Sequence, residues 1–152
     1  MSKQHRDEIL NMVREAGIKH QHDVHEPVRT SQEASNLRGV SMSSGAKAIV
    51  LRGKKTKQSV LVVIPADRRV DTKKVQELVG EKVSFHPHVE EEFGCEPGSV
   101  PPFGSIIGLQ TYADDALEDV LNFNIGLRTD SLQMGRGDYL KLEQPIVGTF
   151  SI

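Results

Sequence analysis

Apolar residues recur along the first forty positions with two different periods. Residues 4–16 place apolar side chains at helical spacing, and Gly17 stands where such a helix would end. Residues 18–24 instead alternate, as a short strand does. A second helix is predicted to begin at the Thr-Ser-Gln-Glu capping box of residues 30–33 and to end at Gly39. This part of the chain therefore predicts a helix, a strand and a second helix.

The middle of the chain predicts a β-hairpin. Residues 46–52 and 59–64 are rich in aliphatic and β-branched side chains, and a short polar segment separates them. Residues 60–64 are apolar at every position, which is typical of a strand that is covered on both faces.

Shorter elements are predicted after the hairpin, and strands are interspersed with helices. They are a helix from its cap Asp71 to Val79 that stops at Gly80, a strand at 83–85, an acidic helix ending near Phe93 and Gly94, strands at 106–112, 120–123 and 131–134, a helix capped by Asp138, and a strand at 146–150. Several connections are too short for parallel crossovers. We therefore expect one domain, residues 1–152, of the α/β (α+β) class, with a mixed, mostly antiparallel twisted sheet or partial barrel surrounded by helices.

The composition is that of a globular chain without a strong charge bias. Of its 152 residues 37% are hydrophobic and 26% charged, with a formal net charge of −2 and a pI near 6.3. The single cysteine, Cys95, excludes an internal disulfide and is compatible with a reducing cytoplasm. Because no segment predicts a membrane span or a secretory signal, we expect a cytoplasmic protein with no membrane partner.

The charge balance argues against a protein that holds nucleic acid by bulk charge, with one local exception. Four cations fall within six residues of the predicted hairpin turn, and we call them the basic turn: Arg52, Lys54, Lys55 and Lys57. Such a cluster is commonly a solvated turn, and the alternative is a contact with a phosphate backbone. Both interpretations stay open at this point.

Lys47 stands at the start of the first hairpin strand, between the small residues Ala46 and Ala48. A lysine in this position is commonly an exposed residue of an edge strand. Alternatively it is partly desolvated, which disfavours the charged amine unless a ligand phosphate or carbonyl oxygen compensates.

Residues 98–104, which we call the Gly98 loop, read Gly-Ser-Val-Pro-Pro-Phe-Gly. Two successive prolines continue neither a helix nor a central strand, and glycine lets backbone amides approach a ligand closely. The loop is predicted to be a rigid connection that redirects the chain, a set of backbone donors for a ligand, or both.

His25 and Thr30 lie immediately before the second predicted helix. A helix N-terminus carries partial positive charge and free N–H groups, which favour an anionic oxygen nearby. Thr30 or Ser31 must cap the helix, so one hydroxyl has a structural role. For His25 a surface or hydrogen-bonded structural role is the alternative.

Metal and nucleophile sites have little support in the sequence. His20, His22 and His25 lack the accompanying ligands of a metal site, so we expect no metal and no cofactor. Cys95 precedes Glu96, whose charge would raise the pKa of the thiol, which argues against a cysteine hydrolase. No phosphate-binding or dinucleotide fingerprint is present.

Taken together, these motifs resemble the YbaK/prolyl-tRNA synthetase-associated domain family of aminoacyl-tRNA editing deacylases. The resemblance follows the order and spacing of motifs along nearly the whole chain. They lie at residues 25–34, 45–48, 61–71, 98–104, 112–114 and 122–126.

The resemblance implies hydrolysis of the ester that joins a wrong amino acid to tRNA, typically proline tRNA. Lys47, Gly98 and Pro102 match the family's functional lysine and its glycine-to-proline loop. Residues that would bind the substrate are His25, Thr30, Ser99, Val100, Pro101, Phe103, Asp114, Asn124 and Gly126. In this family the water is thought to be aligned with help from the substrate's own ribose hydroxyl, so no side-chain nucleophile is required. The implied partner is a mischarged tRNA. Because the modest net charge predicts weak independent affinity for tRNA, a further hypothesis is that prolyl-tRNA synthetase delivers the substrate and that the basic turn contacts the acceptor stem.

Two departures from the family pattern leave the amino acid open. Ser99 replaces a second glycine of the loop, and its hydroxyl could narrow the pocket. Arg128 stands where some relatives place a histidine. Besides an editing enzyme that acts in trans, the sequence is compatible with a non-catalytic module that binds tRNA or a synthetase, and with a metal-independent hydrolase of another small ester.

Overall fold

The computed structural model describes residues 2–27, 30–96 and 98–152, so that Val28 and Arg29 of the first motif lie outside the described residues. The α-helices of this part of the chain are α1 (Ser2–Glu15), α2 (Ser31–Arg38), α3 (Thr72–Val79), α4 (Val89–Phe93) and α5 (Arg136–Glu143). Its strands are β1 (His20–Val24), β2 (Ala46–Gly53), β3 (Ser59–Pro65), β4 (Val83–Phe85), β5 (Thr111–Asp114), β6 (Val120–Asn124), β7 (Asp130–Gly135) and β8 (Ile146–Gly148). Short 3-10 helices lie at Met42–Ser44 and Gly104–Ile107.

The strands form two sheets that meet at one point. One sheet has the antiparallel order β1-β7-β6. The other has the order β4-β2-β3-β5-β8, in which β3, β5 and β8 are parallel neighbours and the remaining pairs are antiparallel. A parallel bridge between Gly45 and Asn122 joins the two sheets. The predicted α+β class with a mixed, mostly antiparallel sheet is confirmed.

Strand β3 is buried on both faces, as its uninterrupted apolar sequence predicts. Leu61 and Val63 belong to the larger hydrophobic cluster, which also holds the apolar side of α1. Val62 and Ile64 point to the opposite face and pack in a second cluster beneath α3. The hairpin is therefore central to the five-stranded sheet, and it carries the residues at its ends on a rigid support.

The three-stranded sheet has one apolar and one polar face. Leu121, Phe123 and Leu132 alternate into the larger cluster. Asn124 and Ser131, which are cross-strand partners, point to the other side. Polar side chains on an inner face of a sheet require hydrogen-bond partners or a solvent-filled space. The cavity described below lies against this face.

Local signals predicted the helix ends well. The Thr30 hydroxyl accepts from the amide of Glu33 at 3.1 Å and begins α2, and Gly39 ends it at a φ of 67°. Asp71 caps α3 in the same way, and Gly80 ends that helix at a φ of 80°. Left-handed backbone of this kind favours glycine. None of the helices in the described ranges is long and apolar enough to cross a membrane.

The predicted strands at 18–24 and 146–150 are longer than the observed ones, since β1 begins at His20 and β8 ends at Gly148. Two further predicted elements were wrong in where they begin. The strand predicted at 106–112 begins only at Thr111, because its first residues form a 3-10 helix that ends at Gly108, where φ is 74°. The amide of Gly104 donates to the Thr111 hydroxyl at 2.8 Å and fixes this turn. Helix α5 begins at Arg136 and not after Asp138, which is the third residue of the helix.

Candidate active site

A cavity of about 430 Å³ lies where the two sheets meet. Its walls come from α2, the first half of β2, the Gly98 loop and the polar face of the three-stranded sheet. Four segments that are distant in sequence therefore enclose one space.

The first half of β2 is an open strand edge. The amide of Gly53 donates to Gln58, so odd-numbered residues of β2 direct their backbone groups toward β3. Even-numbered residues face the other edge, where the His86 amide donates to the Val50 carbonyl. Strand β4 pairs only with the last three residues of β2. Ala48 therefore presents its N–H and C=O to the cavity with no strand partner in the described part of the chain.

Lys47 reaches the cavity from the other face of this edge. It shares a strand face with Ile49, which packs beneath α3, whereas Ala48 lies on the face of Val100. The Lys47 side chain is half-buried, and its Nζ donates to the Arg68 carbonyl at 3.4 Å. Because that single contact is long, the ammonium keeps donors for a ligand oxygen.

The Gly98 loop has a part that lines the cavity. Gly98, at a φ of 78°, and Val100 contribute to the wall, and neither amide has an acceptor among the described residues. Ser99 between them is fully buried, and its amide and hydroxyl both donate to the Glu96 carbonyl, at 3.0 and 2.7 Å. The Ser99 hydroxyl is thus directed away from the cavity and does not narrow it.

The remainder of the loop is an anchor. Pro101, Pro102 and Phe103 are buried, and Tyr139 donates its hydroxyl to the Pro102 carbonyl at 2.6 Å. Burial, together with the charge of Glu143, raises the pKa of Tyr139 far above its ordinary value, so the phenol stays a donor. Pro102, predicted to be catalytic, lies behind the wall, where it holds the lining residues in place.

The floor of the cavity is polar, and Asn124 and Ser131 lie there side by side. Asn124 donates its Nδ2 to the carbonyls of Leu127 and Asp130, at 3.2 and 3.3 Å. Ser131 is 1% exposed, and its Oγ lies 2.7 Å from His25 Nε2. His25 therefore contacts the floor from behind and does not itself line the cavity.

Two residues of the α2 segment complete the wall. Thr30 lines the cavity, although its hydroxyl already serves as the helix cap. Arg38 also lines it and donates to Asp23 at 3.2 Å, while its Nε is buried without a partner in the described structure. A hydrogen bond from Gln21, followed by the pairing with Arg38, lowers the pKa of Asp23, so this carboxylate stays charged.

A second space, a groove of about 510 Å³, adjoins the cavity across the same strand edge. Its outer wall consists of residues 85–91, with Phe85 62% exposed. The two spaces share five residues: Lys47, Ala48, Ile49, Gly98 and Val100. A ligand could therefore place one part in the cavity and another in the groove, with Ala48 between them.

Two predicted binding residues lie away from both spaces. Asp114 is 2% exposed, and its carboxylate accepts from the amides of Ala116 and Phe150, so it closes a turn. Gly126 packs against α1 at a φ of 99°, and its amide donates to the Ser99 carbonyl. Gly126 supports the loop from behind.

The basic turn lies at the opposite end of β2 from Lys47. Seven residues of extended chain separate Lys47 from Lys54, roughly 23 Å at the rise of a strand. Lys54, Lys55 and Lys57 are exposed, and Arg52 is half-buried. The Glu81 carboxylate accepts from the amides of Lys55 and Thr56, at 2.8 and 3.1 Å, and fixes the turn.

Metal and thiol chemistry find no geometric support. Within the described residues no three His, Cys, Asp or Glu side chains come together as a metal site. Burial raises the pKa of Cys95 to about 11, so the thiol stays protonated at neutral pH. His86 pairs with Glu92 and not with Cys95.

The sequence interpretation missed Ser131, Arg38 and Ala48. Ser131 had one signal, since a polar residue at the start of an apolar strand is unusual, but its partner His25 lies 106 residues away. Arg38 looked like an ordinary residue of a helix C-terminus. The role of Ala48 rests on its backbone, which side-chain motifs do not report.

The chain is similar to known proteins over most of its length. The sequence profile of the aminoacyl-tRNA editing domain matches residues 25–142. The chain is 29% identical over 150 residues to the Multifunctional Ser/Thr-tRNA deacylase ProXp-y of Escherichia coli K12, covering 93% of this chain and 90% of that protein. It is 32% identical over 103 residues to the proline--tRNA ligase of Bacillus subtilis, covering 65% of this chain and 18% of the ligase.

Solved structures share the fold. The crystal structure of hypothetical protein APE2540 superposes with a TM-score of 0.85 at 23% identity, covering 95% of this chain and 99% of that one. A candidate trans-editing enzyme for prolyl tRNA synthetase superposes with a TM-score of 0.82 at 22% identity, covering 99% of this chain and 97% of that one. At these identities the likeness extends to the fold alone.

Proposed function

The chain belongs to the aminoacyl-tRNA editing domain family, whose enzymes hydrolyse the aminoacyl ester of tRNA, and from this premise we propose that it removes a wrongly attached amino acid from proline tRNA, acting in trans. The observation that carries the proposal is the strand-edge gap at Ala48. There Lys47, two loop amides without an acceptor among the described residues and a polar floor line one cavity.

The cavity suits ester hydrolysis because an aminoacyl ester is already reactive. Catalysis then requires orientation and stabilisation of the developing negative charge more than a strong nucleophile. The amides of Gly98, Val100 and Ala48 are the donors that we assign to the carbonyl oxygen as it becomes an oxyanion. Lys47 is assigned to that oxygen or to the terminal phosphate, and the attacking water is oriented with help from the ribose hydroxyl.

The groove and the basic turn supply a path for the tRNA. We assign the terminal nucleotide to the groove, where the exposed ring of Phe85 offers a surface on which a base can stack. The acceptor stem would then run along the hairpin toward the basic turn. Since the net charge of −2 predicts weak independent affinity for tRNA, prolyl-tRNA synthetase is proposed as the partner that delivers the substrate in the cytoplasm.

The decisive experiment follows deacylation of proline tRNA charged with alanine, cysteine, serine or threonine, with correctly charged prolyl-tRNA as the reference. At least one mischarged ester should be cleared well above its spontaneous rate. The relative from Escherichia coli is named for serine and threonine, which makes those two esters the first to test. If every ester decays at its spontaneous rate, a binding module becomes the better account.

A pair of glycine variants tests whether the Gly98 loop takes part. Gly98→Ala and Gly108→Ala both force a side chain into left-handed backbone, at φ values of 78° and 74°. Each should lower stability by about 1 kcal/mol. Only Gly98→Ala should also reduce turnover, by about tenfold or more, because Gly108 lies outside the cavity. Equal turnover in the two variants would remove the loop from the mechanism.

A further inference from the structure

No group of the substrate has yet been assigned to the cross-strand pair Asn124 and Ser131 on the cavity floor. The hydrogen bonds that the two side chains make within the protein determine whether the pair can donate to a ligand or accept from it. His25 Nδ1 lies 2.7 Å from the Glu26 carbonyl, which can only accept, so Nδ1 carries a hydrogen. In the neutral ring Nε2 is then an acceptor, and the Ser131 hydroxyl donates its single hydrogen to it across 2.7 Å. The Ser131 oxygen is left with lone pairs only.

The Asn124 side chain likewise offers an acceptor to the cavity. This side chain makes two hydrogen bonds with the described residues, both with Nδ2 as the donor, and no donor within these residues reaches Oδ1. Because Asn124 and Ser131 are direct cross-strand partners, their Cβ atoms lie about 5 Å apart. The floor thus offers two neighbouring acceptors and no donor from this pair.

We propose that this pair of acceptors binds the α-ammonium group of the aminoacyl ester, which makes Ser131 and Asn124 determinants of specificity and His25 the residue that positions Ser131. A primary ammonium carries three donors and no acceptor, which matches the polarity of the floor. A side-chain hydroxyl of the substrate has one donor only and would satisfy at most one of the two acceptors.

The charges around the floor are compatible with this assignment. Asp23 lies opposite Ser131 on β1 and remains ionised, and Arg38 pairs with it at 3.2 Å, so the two offset each other. Lys47 enters the cavity from the strand edge of the other sheet. The amino group and the ester oxygen of one substrate would therefore contact opposite walls, which fixes the acyl carbon between them.

This inference rests on the proposed deacylase function. Its test removes the α-amino group from the substrate and, separately, the hydroxyl group from Ser131. The ester that the wild type clears fastest is compared with its α-hydroxy counterpart, made by deamination, such as lactyl in place of alanyl. For each ester kcat/KM is measured with the wild type and with Ser131→Ala. Each kcat/KM is divided by the spontaneous hydrolysis rate of the same ester, which removes intrinsic reactivity, and the resulting preference is compared between the two proteins.

The wild type should prefer the amino ester by about tenfold beyond the ratio of the spontaneous rates, as expected for a hydrogen bond to a charged group. Ser131→Ala should lose most of this preference. His25→Phe should lose this preference as well, since the Ser131 hydroxyl then has no acceptor at residue 25 and can direct its hydrogen into the cavity. Ser151→Ala is the matched control, because Ser151 is buried outside the cavity, and it should leave the preference unchanged.

The outcomes separate the two levels of the proposal. If the wild type clears neither ester, the deacylase function itself fails. If the wild type clears both esters but Ser131→Ala slows them equally, the floor does not bind the ammonium and the inference is overturned. The wild-type preference needs no variant, so its absence would also overturn the inference if Ser131→Ala failed to fold.

Discussion

The β2–β3 hairpin carries cations at both ends, and the two ends differ in everything except charge. At one end the single amine of Lys47 is half-buried beside an open strand edge and two loop amides that have no acceptor in the described ranges. At the other end the three lysines of the basic turn are exposed, and the Glu81 carboxylate accepts a hydrogen bond from the Lys55 amide. Positive charge alone therefore does not make a site. Enclosure and free backbone donors distinguish the end that can bind a reacting oxygen.

The largest expected effect comes from Lys47→Met, with Lys54→Met as the matched change at the other end. Lys47→Met should lower the deacylation rate by about 100-fold, since it removes the charge that we assign to the developing oxyanion or the phosphate. Lys54→Met should stay within about twofold of the wild type, because one exposed cation contributes little. Single-turnover kinetics on the best mischarged ester measure both. If the two variants lost equal amounts of activity, Lys47 would have no role that an exposed lysine of the basic turn lacks.

Reversing all four charges of the basic turn to glutamate should have an intermediate effect. If the turn contacts the acceptor stem, KM should rise about tenfold at low ionic strength, with kcat nearly unchanged. The rise should shrink as salt is added, because added ions screen exposed charges. Turnover that is indifferent to the reversal would leave the basic turn with a structural role only.

The smallest effect concerns the stability of the turn. Hydrogen bonds from the Thr56 hydroxyl and from the amides of Thr56 and Lys55 lower the pKa of Glu81. A lowered folded-state pKa contributes stability above the unfolded pKa, and that contribution is lost as the pH falls through the folded pKa. Glu81→Gln should therefore lower Tm by about 1–3 °C at pH 7. The difference should disappear in acid, where the wild-type carboxyl is protonated as well.

Thermal unfolding across a pH series, with Glu77→Gln as the control, measures this difference. Glu77 is an exposed glutamate of α3, and its carboxylate has no hydrogen bond or ion pair with any residue of the described ranges. A Glu81→Gln deficit that persisted at pH 2 would show that the carboxylate charge is not what stabilises the turn.

Much of the fold was predictable because its signals are local. The caps Thr30 and Asp71 and the glycines that follow their helices determine where α2 and α3 begin and end. The apolar run of β3 predicted its burial on both faces. The segment at 106–112 failed because a side chain seven residues away, Thr111, fixes the Gly104 turn, and apolar composition does not reveal such a bond.

The candidate site was predictable in part. The resemblance to a known family selected Lys47, Gly98, Val100 and Asn124, all of which line the cavity. It also selected Pro102 and Phe103, which the fold places behind the wall, and Asp114, which lies away from the cavity. A motif does not distinguish a residue that touches a ligand from one that holds its neighbour, since both are needed for the same geometry.

The sequence by itself determined the ends of α2 and α3, the buried hairpin and the family, and it singled out Lys47 as a candidate. The tertiary structure alone decided that β4 leaves Ala48 unpaired, that Ser99 is directed away from the cavity, and that His25 reaches Ser131. The physical reason is distance along the chain. Caps and periodicity act within a few residues, whereas a cavity and its hydrogen-bond polarity arise only when segments a hundred residues apart are packed together.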